Sequence, residues 1–197
     1  MDLDPDFWNQ HYHDENTPWD LGGASPPLIA YLEKIDDPGT RILIPGAGRA
    51  YEAVYLHRRG FTHVFVCDWA TAAFHHLKEN APDFPSGHLI TGDFFQIEGQ
   101  FDLMLEHTFF CAIHPSLRPR YVEKAAQLLN PGGVLAGLLF ATEFDRPGPP
   151  FGGDPDGYHA LFSPHFFIEK FEISKNSILP RAGNELFVEL INKKESC

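Results

Sequence analysis

Arg41-Ile-Leu-Ile-Pro-Gly-Ala-Gly48 is an apolar run that ends on two glycines one residue apart. Twenty residues past Gly48 a second apolar run, Val64-Phe-Val-Cys-Asp68, ends on a carboxylate. Between them, residues 50–59 carry Ala50, Ala53, Val54 and His57 on one helical face and stop at Gly60. A strand, a glycine turn, a helix and a second strand tipped with an acid make half of a nucleoside-binding sheet. The glycines let backbone approach the ligand, and the carboxylate at 68 receives a ribose diol.

Downstream, the pattern predicts a helix over 70–80, a short strand at His88–Thr91 and a fourth strand at Phe101–Glu106. A helix over 117–129 buries Tyr121, Val122, Ala125, Leu128 and Leu129 as one stripe. Asn130-Pro-Gly-Gly133 turns into a fifth strand, 134–140, whose continuous apolar run suits a strand covered on both faces. Residues 141–157 read as a Pro/Gly/Asp-rich loop and 164–170 as a short helix. Phe171–Ser177 and Leu186–Ile191 read as a closing antiparallel pair. Upstream, Ser25-Pro26-Pro27 starts a helix that runs to about Ile35, with Ser25 as N-cap. Residues 6–24 show no period and read as an irregular arm. The alternation predicts an α/β fold: a doubly wound, Rossmann-like sheet, mostly parallel, with an antiparallel C-terminal strand. It fills one domain over residues 1–197, with 1–24 as an arm or lid. Ligands of such sheets bind beyond the C-terminal strand ends. That gathers Pro45–Gly48, Asp68, Asp93–Phe95, Glu106–Phe110 and Ala141–Phe151 around one crevice.

At 197 residues the chain suits one domain with a full core. A net charge of −12 with no basic cluster argues against a nucleic-acid partner. Cys67, Cys111 and Cys197 are few, odd in number and widely spaced, which suits a reducing compartment. No apolar run approaches a membrane span, and Met1–Asp6 is acidic where a signal peptide is basic. These features predict a cytoplasmic protein with a small-molecule substrate, and leave monomer against weak homodimer open. The histidine pairs His11/His13 and His75/His76 lack helical ligand spacing, so no metal site is expected.

The glycine turn alone fits both a nicotinamide dinucleotide and S-adenosylmethionine. A dinucleotide fingerprint needs a third glycine, and Arg49-Ala50-Tyr51 supplies none. S-adenosylmethionine has no phosphates and asks only for a tight turn and close backbone approach. In Thr91-Gly-Asp93-Phe94, Asp93 can bind an adenine amino group and Phe94 can stack on the ring. Leu128-Leu-Asn-Pro-Gly-Gly133, leading into the fifth strand, is an arrangement common in class I methyltransferases.

Trp8-Asn-Gln-His-Tyr12 and Thr17-Pro-Trp-Asp20 resemble the N-terminal arm of the thiopurine methyltransferase family, closest to its thiol, halide and thiocyanate branch. Ile44-Pro-Gly-Ala-Gly48, Phe109-Phe-Cys-Ala-Ile113, Arg118-Pro119 and Gly148-Pro-Pro-Phe151 extend the likeness over nearly the whole chain. The resemblance implies a class I methyltransferase fold and S-adenosylmethionine as cofactor. It implies cofactor contacts from Trp8, Tyr12, Trp19, Gly46, Asp68, Asp93, Phe94 and His107, with Gly48 added from the glycine turn. Tyr12 stands where that branch tends to have Trp, and Ala47 replaces a common Cys. His107 stands where that branch has Tyr and the thiopurine branch has Arg, which weakens the case for an anionic aromatic thiol.

Methyl transfer from a sulfonium is an in-line displacement that rests on alignment and on stripping water from the nucleophile. Trp8, Tyr12 and Trp19 can close over the sulfonium as an aromatic lid. Trp19, Phe109, Phe110, Phe140 and Phe151 are expected to line a small acceptor pocket, with Arg181 either guiding substrate or forming a salt bridge. His107 is a candidate catalytic residue, taking a proton from a thiol, or else a core or rim histidine. Glu106 is either a base or a structural group paired with Arg118 or a backbone amide. The expected activity is S-methylation of small soft nucleophiles: a thiol, hydrosulfide, thiocyanate or halide. An oxygen or nitrogen methyltransferase, a nicotinamide-dependent oxidoreductase and a non-catalytic binder are the alternatives.

Overall fold

The computed structural model describes residues 3–195, so Met1, Asp2, Ser196 and Cys197 lie outside the described residues. Its strands are β1 (Ile42–Pro45), β2 (Val64–Asp68), β3 (Leu89–Thr91), β4 (Phe101–His107), β5 (Leu129–Phe140), β6 (Phe166–Ile173) and β7 (Glu185–Asn192). The helices are α1 (Pro5–His13), α2 (Pro26–Leu32), α3 (Tyr51–Arg58), α4 (His75–Asn80), α5 (Phe109–Ala112), α6 (Arg118–Leu128) and α7 (Pro155–Phe162). The sheet order is β3-β2-β1-β4-β5-β7-β6. The first five strands are parallel, and β7 runs antiparallel between β5 and β6. This is the Rossmann-like, mostly parallel sheet that the alternation predicts. Order reverses between β1 and β4, which opens a crevice beyond their C-terminal ends.

Two apolar clusters cover the faces of the sheet. Leu28, Leu32, Val54, Leu56 and Leu77 of α2, α3 and α4 pack on Ile42, Ile44, Leu103 and Leu105. Tyr121, Val122, Leu128 and Phe162 of α6 and α7 pack on Leu43, Met104, Leu135 and Val188. Because strand side chains alternate, Leu103, Leu105 and His107 of β4 point to α3 while Met104 and Glu106 point to α6. That split sets the chemistry at the end of β4.

Several boundaries depart from expectation. Residues 5–13 form a helix: Asp4 Oδ1 accepts the Phe7 N–H at 2.8 Å, and Pro5 occupies the first turn. No residue of α1 is buried, so it lacks the apolar stripe by which a helix is recognised. The predicted loop 141–157 contains the start of α7, capped by Asp154 on the Gly157 N–H at 2.8 Å. Residues 164–170 are not helical: Pro164 and His165 lie in a turn, and β7 holds the rest as part of β6. β5 begins at Leu129, so the Asn130–Gly133 turn lies within it as an irregularity where pairing shifts between Phe101 and Leu103. Helix 70–80 opens as a 3-10 turn over Thr71–Phe74 before α4. Ser25 sits at the N-cap of α2 without a side-chain cap bond, and α2 stops at Leu32.

Candidate active site

The chain leaves β1 through Gly46 and Gly48, at φ +55° and +54°, a conformation that favours glycine. A Cβ on Gly46 would lie 2.4 Å from the Phe109 ring, so that ring seals the turn from the β4 side. A Cβ on Gly48 would come within 3.4 Å of the Tyr12 hydroxyl, so the arm covers the turn from above. Beside it, Asp68 Oδ2 accepts the Gly48 N–H at 3.1 Å and Oδ1 accepts the Ala70 N–H at 2.9 Å. Burial raises the Asp68 carboxyl above its ordinary range, against these two bonds.

The arm is held by rings and by one acid. Trp19 meets Trp8 edge-on at 5.4 Å and Tyr12 at 5.8 Å between centroids. Burial, reinforced by the Asp68 charge, raises the Tyr12 phenol. Asp20 pairs with Arg49 of the glycine turn and accepts from the Tyr51 hydroxyl at 3.0 Å and the Gly22 N–H at 2.8 Å. From the far end of the sheet, Arg181 Nη2 donates to the Trp19 carbonyl at 2.8 Å. The arm is therefore tied at two points beside the glycine turn.

The floor is a row of charged and polar groups. Arg181 Nη1 lies 3.2 Å from His107 Nε2 and 3.1 Å from Glu185 Oε1. A guanidinium only donates, so His107 Nε2 accepts and its proton is assigned to Nδ1. Nδ1 faces Glu52 Oε1 at 3.7 Å, and that oxygen also accepts the Ser25 N–H at 2.8 Å. Burial first, then the Arg181 charge, pushes His107 down to about 3. Burial raises Glu52 despite its bond to Ser25.

Thr108 follows at φ +68°, an uncommon conformation for a β-branched residue, and turns the chain into α5. Phe109 is thereby laid against Gly46, and Phe110 is turned away. Phe110 is 1% exposed among Tyr121, Tyr158 and Phe162, so the structure does not bring it to the crevice. Phe140 lies under Arg181 at 5.5 Å. Phe151 packs against His114, and Arg118 holds its loop by donating to the Phe151 and Gly152 carbonyls at 3.0 Å each. Glu106 is paired with the Phe110 amide and Tyr121, not with Arg118. Asp93 Oδ1 accepts the Phe95 N–H at 2.9 Å as a cap, and Phe94 is buried against Tyr121.

Trp19, Gly46, Gly48 and His107 thus line one crevice, with Tyr12, Asp68, Phe109 and Arg181 in contact with it. Asp20, Arg49, Tyr51, Glu52 and Glu185 belong to the same site; Asp20 closes the Thr17–Asp20 motif of the arm, and the other four stand out by no motif. Glu52 had one signal, an acid beside Ala50, Ala53 and Val54 on the buried side of its helix. Among the described residues no group of three His, Cys, Asp or Glu gathers as metal ligands, and no helix is long and apolar enough to cross a membrane.

A family model, thiopurine S-methyltransferase, matches residues 3–194. The probable thiol methyltransferase 2 of Arabidopsis thaliana is 31% identical over 185 residues, covering 90% of this chain and 81% of that protein. Thiocyanate methyltransferase 1 of Arabidopsis thaliana is 27% identical over 183 residues, with the same two coverages. The solved structure of a Burkholderia thailandensis 1,6-didemethyltoxoflavin-N1-methyltransferase superposes with a TM-score of 0.73. It has 20% identity and covers 96% of this chain and 87% of that one.

Proposed function

The chain belongs to the thiopurine S-methyltransferase family and is an S-adenosylmethionine-dependent methyltransferase; we propose that its acceptor is a small, soft nucleophile that arrives already ionised. A thiolate, hydrosulfide, thiocyanate or halide meets that description. The glycine turn offers backbone approach without a third glycine or a phosphate cradle. Asp68 stands where a ribose diol would bind, and Tyr12, Trp8 and Trp19 offer aromatic faces to a cation, so the residues fit this cofactor. When bound, it supplies a methyl group on a sulfonium sulfur.

One observation carries the reading: the single lone pair of the His107 imidazole is taken by Arg181. With that lone pair engaged and the ring pushed down to about 3, His107 is a poor proton acceptor at neutral pH. Glu106 faces the opposite side of β4, so it does not replace it. An acceptor that still carries its proton would find no free base here. An ionised acceptor needs none: its lone pair would take the methyl group that the cofactor's sulfonium sulfur would release, with no proton for His107 or Glu106 to move.

The chain's own residues then align and exclude water. Trp19, Phe109, Phe140 and Phe151 are assigned to the walls of the acceptor pocket, and the arm is assigned to strip hydration from the nucleophile. Arg181, already neutralised by Glu185 and bound to the Trp19 carbonyl, supplies a positive face with few free donors. Such a face favours weakly hydrated anions over those that need many hydrogen bonds. Asp93 and Phe94 are assigned to the adenine end, through the Asp93–Phe95 turn. The test is a turnover screen with thiocyanate, iodide, hydrosulfide, thiophenol and a thiopurine. Activity on the small anions is expected, and activity confined to the thiopurine would contradict the reading.

A further inference from the structure

Glu106 takes no part in the chemistry above, yet it is a fully buried acid one residue from His107. Gly137 pairs with it across β5, and a Cβ there would come within 2.4 Å of the Glu106 Cβ. The neighbouring strand therefore leaves room for this side chain. Its two oxygens go to two different elements. Oε1 accepts the Phe110 N–H at 2.9 Å, and Oε2 accepts the Tyr121 hydroxyl at 2.7 Å.

The first bond pins the turn in which Thr108 is left-handed and Phe109 lies against Gly46. The second fixes Tyr121, whose ring stacks on Phe94 at 5.3 Å with 30° between planes. Phe94 in turn meets Phe109 edge-on at 5.3 Å. We propose that Glu106 is a positioning residue for the cofactor crevice, setting the places of Phe109 and Phe94 together through the Phe110 amide and Tyr121.

Both partners are donors, so the ionised carboxylate satisfies both. A protonated carboxyl must place its own hydrogen, and the acceptor it meets is the Tyr121 oxygen. That bond then reverses and strands the phenol hydrogen, which loosens the Tyr121–Phe94 side of the anchor. Burial pushes Glu106 up to about 7, so both forms exist near neutrality. Its surroundings do not titrate there. Cys111 of α5 is pushed up to about 12, Tyr121 of α6 is held well above its ordinary value, and His107 is pushed down to about 3. Arg118 and Arg181 supply the nearby positive charge, and β5 contributes only Gly137.

The test needs cofactor binding alone, so it does not depend on the identity of the acceptor. S-adenosylhomocysteine affinity is measured by calorimetry between about pH 5.5 and about pH 8.5. The wild-type protein should bind about fivefold more tightly above an inflection near 7 than below it. Glu106→Gln, with its fold checked by circular dichroism, should show no inflection and keep the low-pH affinity throughout. Asp68 and Glu52, the crevice acids that burial also raises, are untouched, so an inflection caused by either would survive the substitution and overturn the proposal. A flat wild-type profile would overturn it as well. Should Glu106→Gln fail to fold, Tyr121→Phe removes the bond that protonation reverses and should abolish the inflection; an inflection that persists would again overturn the proposal.

Discussion

Arg181 Nη1 donates to His107 Nε2 at 3.2 Å and to Glu185 Oε1 at 3.1 Å, from a loop more than seventy residues away from His107 in sequence. This one contact fixes the imidazole tautomer, occupies its lone pair and places a guanidinium beside the glycine turn. It makes His107 Nε2 a hydrogen-bond acceptor, and the proposed reaction asks no proton transfer of it.

His107→Gln should therefore retain most activity. The glutamine oxygen can accept from Arg181 as Nε2 does, so kcat with an ionised acceptor should fall by less than about tenfold. Loss of a true general base costs about 10²–10⁴-fold. Steady-state kinetics with hydrosulfide or a thiolate at high pH distinguishes the two.

Arg181 and Glu185 form a buried pair, at 7% and 3% exposure. Arg181→Met leaves Glu185 without its cation and should destabilise the fold by about 3–5 kcal/mol. Adding Glu185→Leu should restore much of the melting temperature. It should not restore the arm, because the bond to the Trp19 carbonyl is gone. Limited proteolysis should then cut within residues 14–24 of the double variant faster than in the wild type.

The two glycines of the turn should not be equivalent. Gly46→Ala puts a methyl 2.4 Å from the Phe109 ring, whereas Gly48→Ala puts one 3.4 Å from the Tyr12 hydroxyl, an ordinary contact with the far end of a side chain. Both carry the penalty of a left-handed alanine, about 1 kcal/mol. Gly46→Ala should lower the melting temperature further, and Gly48→Ala should mainly weaken S-adenosylhomocysteine binding. Equal melting temperatures would contradict this assignment.

Much of this arrangement was legible in sequence. The apolar run into Gly46 and Gly48, the acid at Asp68 and the helical stripe through Tyr121 and Val122 are local patterns with short-range causes. They placed the strands of the sheet and the glycine turn after the first of them. The irregular departures also have local causes. α1 buries none of its residues, so periodicity could not find it, although Asp4-Pro5 is a capping signal. α7 does bury Tyr158 and Phe162, and its start was hidden by the turn-forming run Gly152-Gly153-Asp154-Pro155. The floor of the site was not legible, because Glu52, His107, Arg181 and Glu185 meet only through tertiary structure. Alternation along β4 did contain the split between His107 and Glu106, but it takes known flanking helices to say which side is which.

Opposing pH effects on stability follow from that split. His107 falls from 6.5 to about 3 on folding, so its stabilising effect is present above pH 6.5 and is lost as pH falls toward 3. Glu106 rises from 4.5 to about 7, so its effect is full below pH 4.5 and is lost as pH rises through 7. Between pH 4.5 and 6.5 the two slopes oppose, and the wild-type melting temperature should vary little. Glu106→Gln removes one slope and should leave stability falling steadily as pH drops from 6.5. Thermal melts across this range check both statements.

The most direct test of methyl transfer to a pre-ionised nucleophile is the pH dependence of kcat/KM at saturating cofactor, compared between an acidic aryl thiol and a weakly acidic alkyl thiol. Without an enzyme base, activity rises with pH until each thiol is ionised, so the limb should shift between the two by the difference in their own pKa values. A limb that stays at one pH for both thiols would reveal a proton acceptor in the protein and contradict the account.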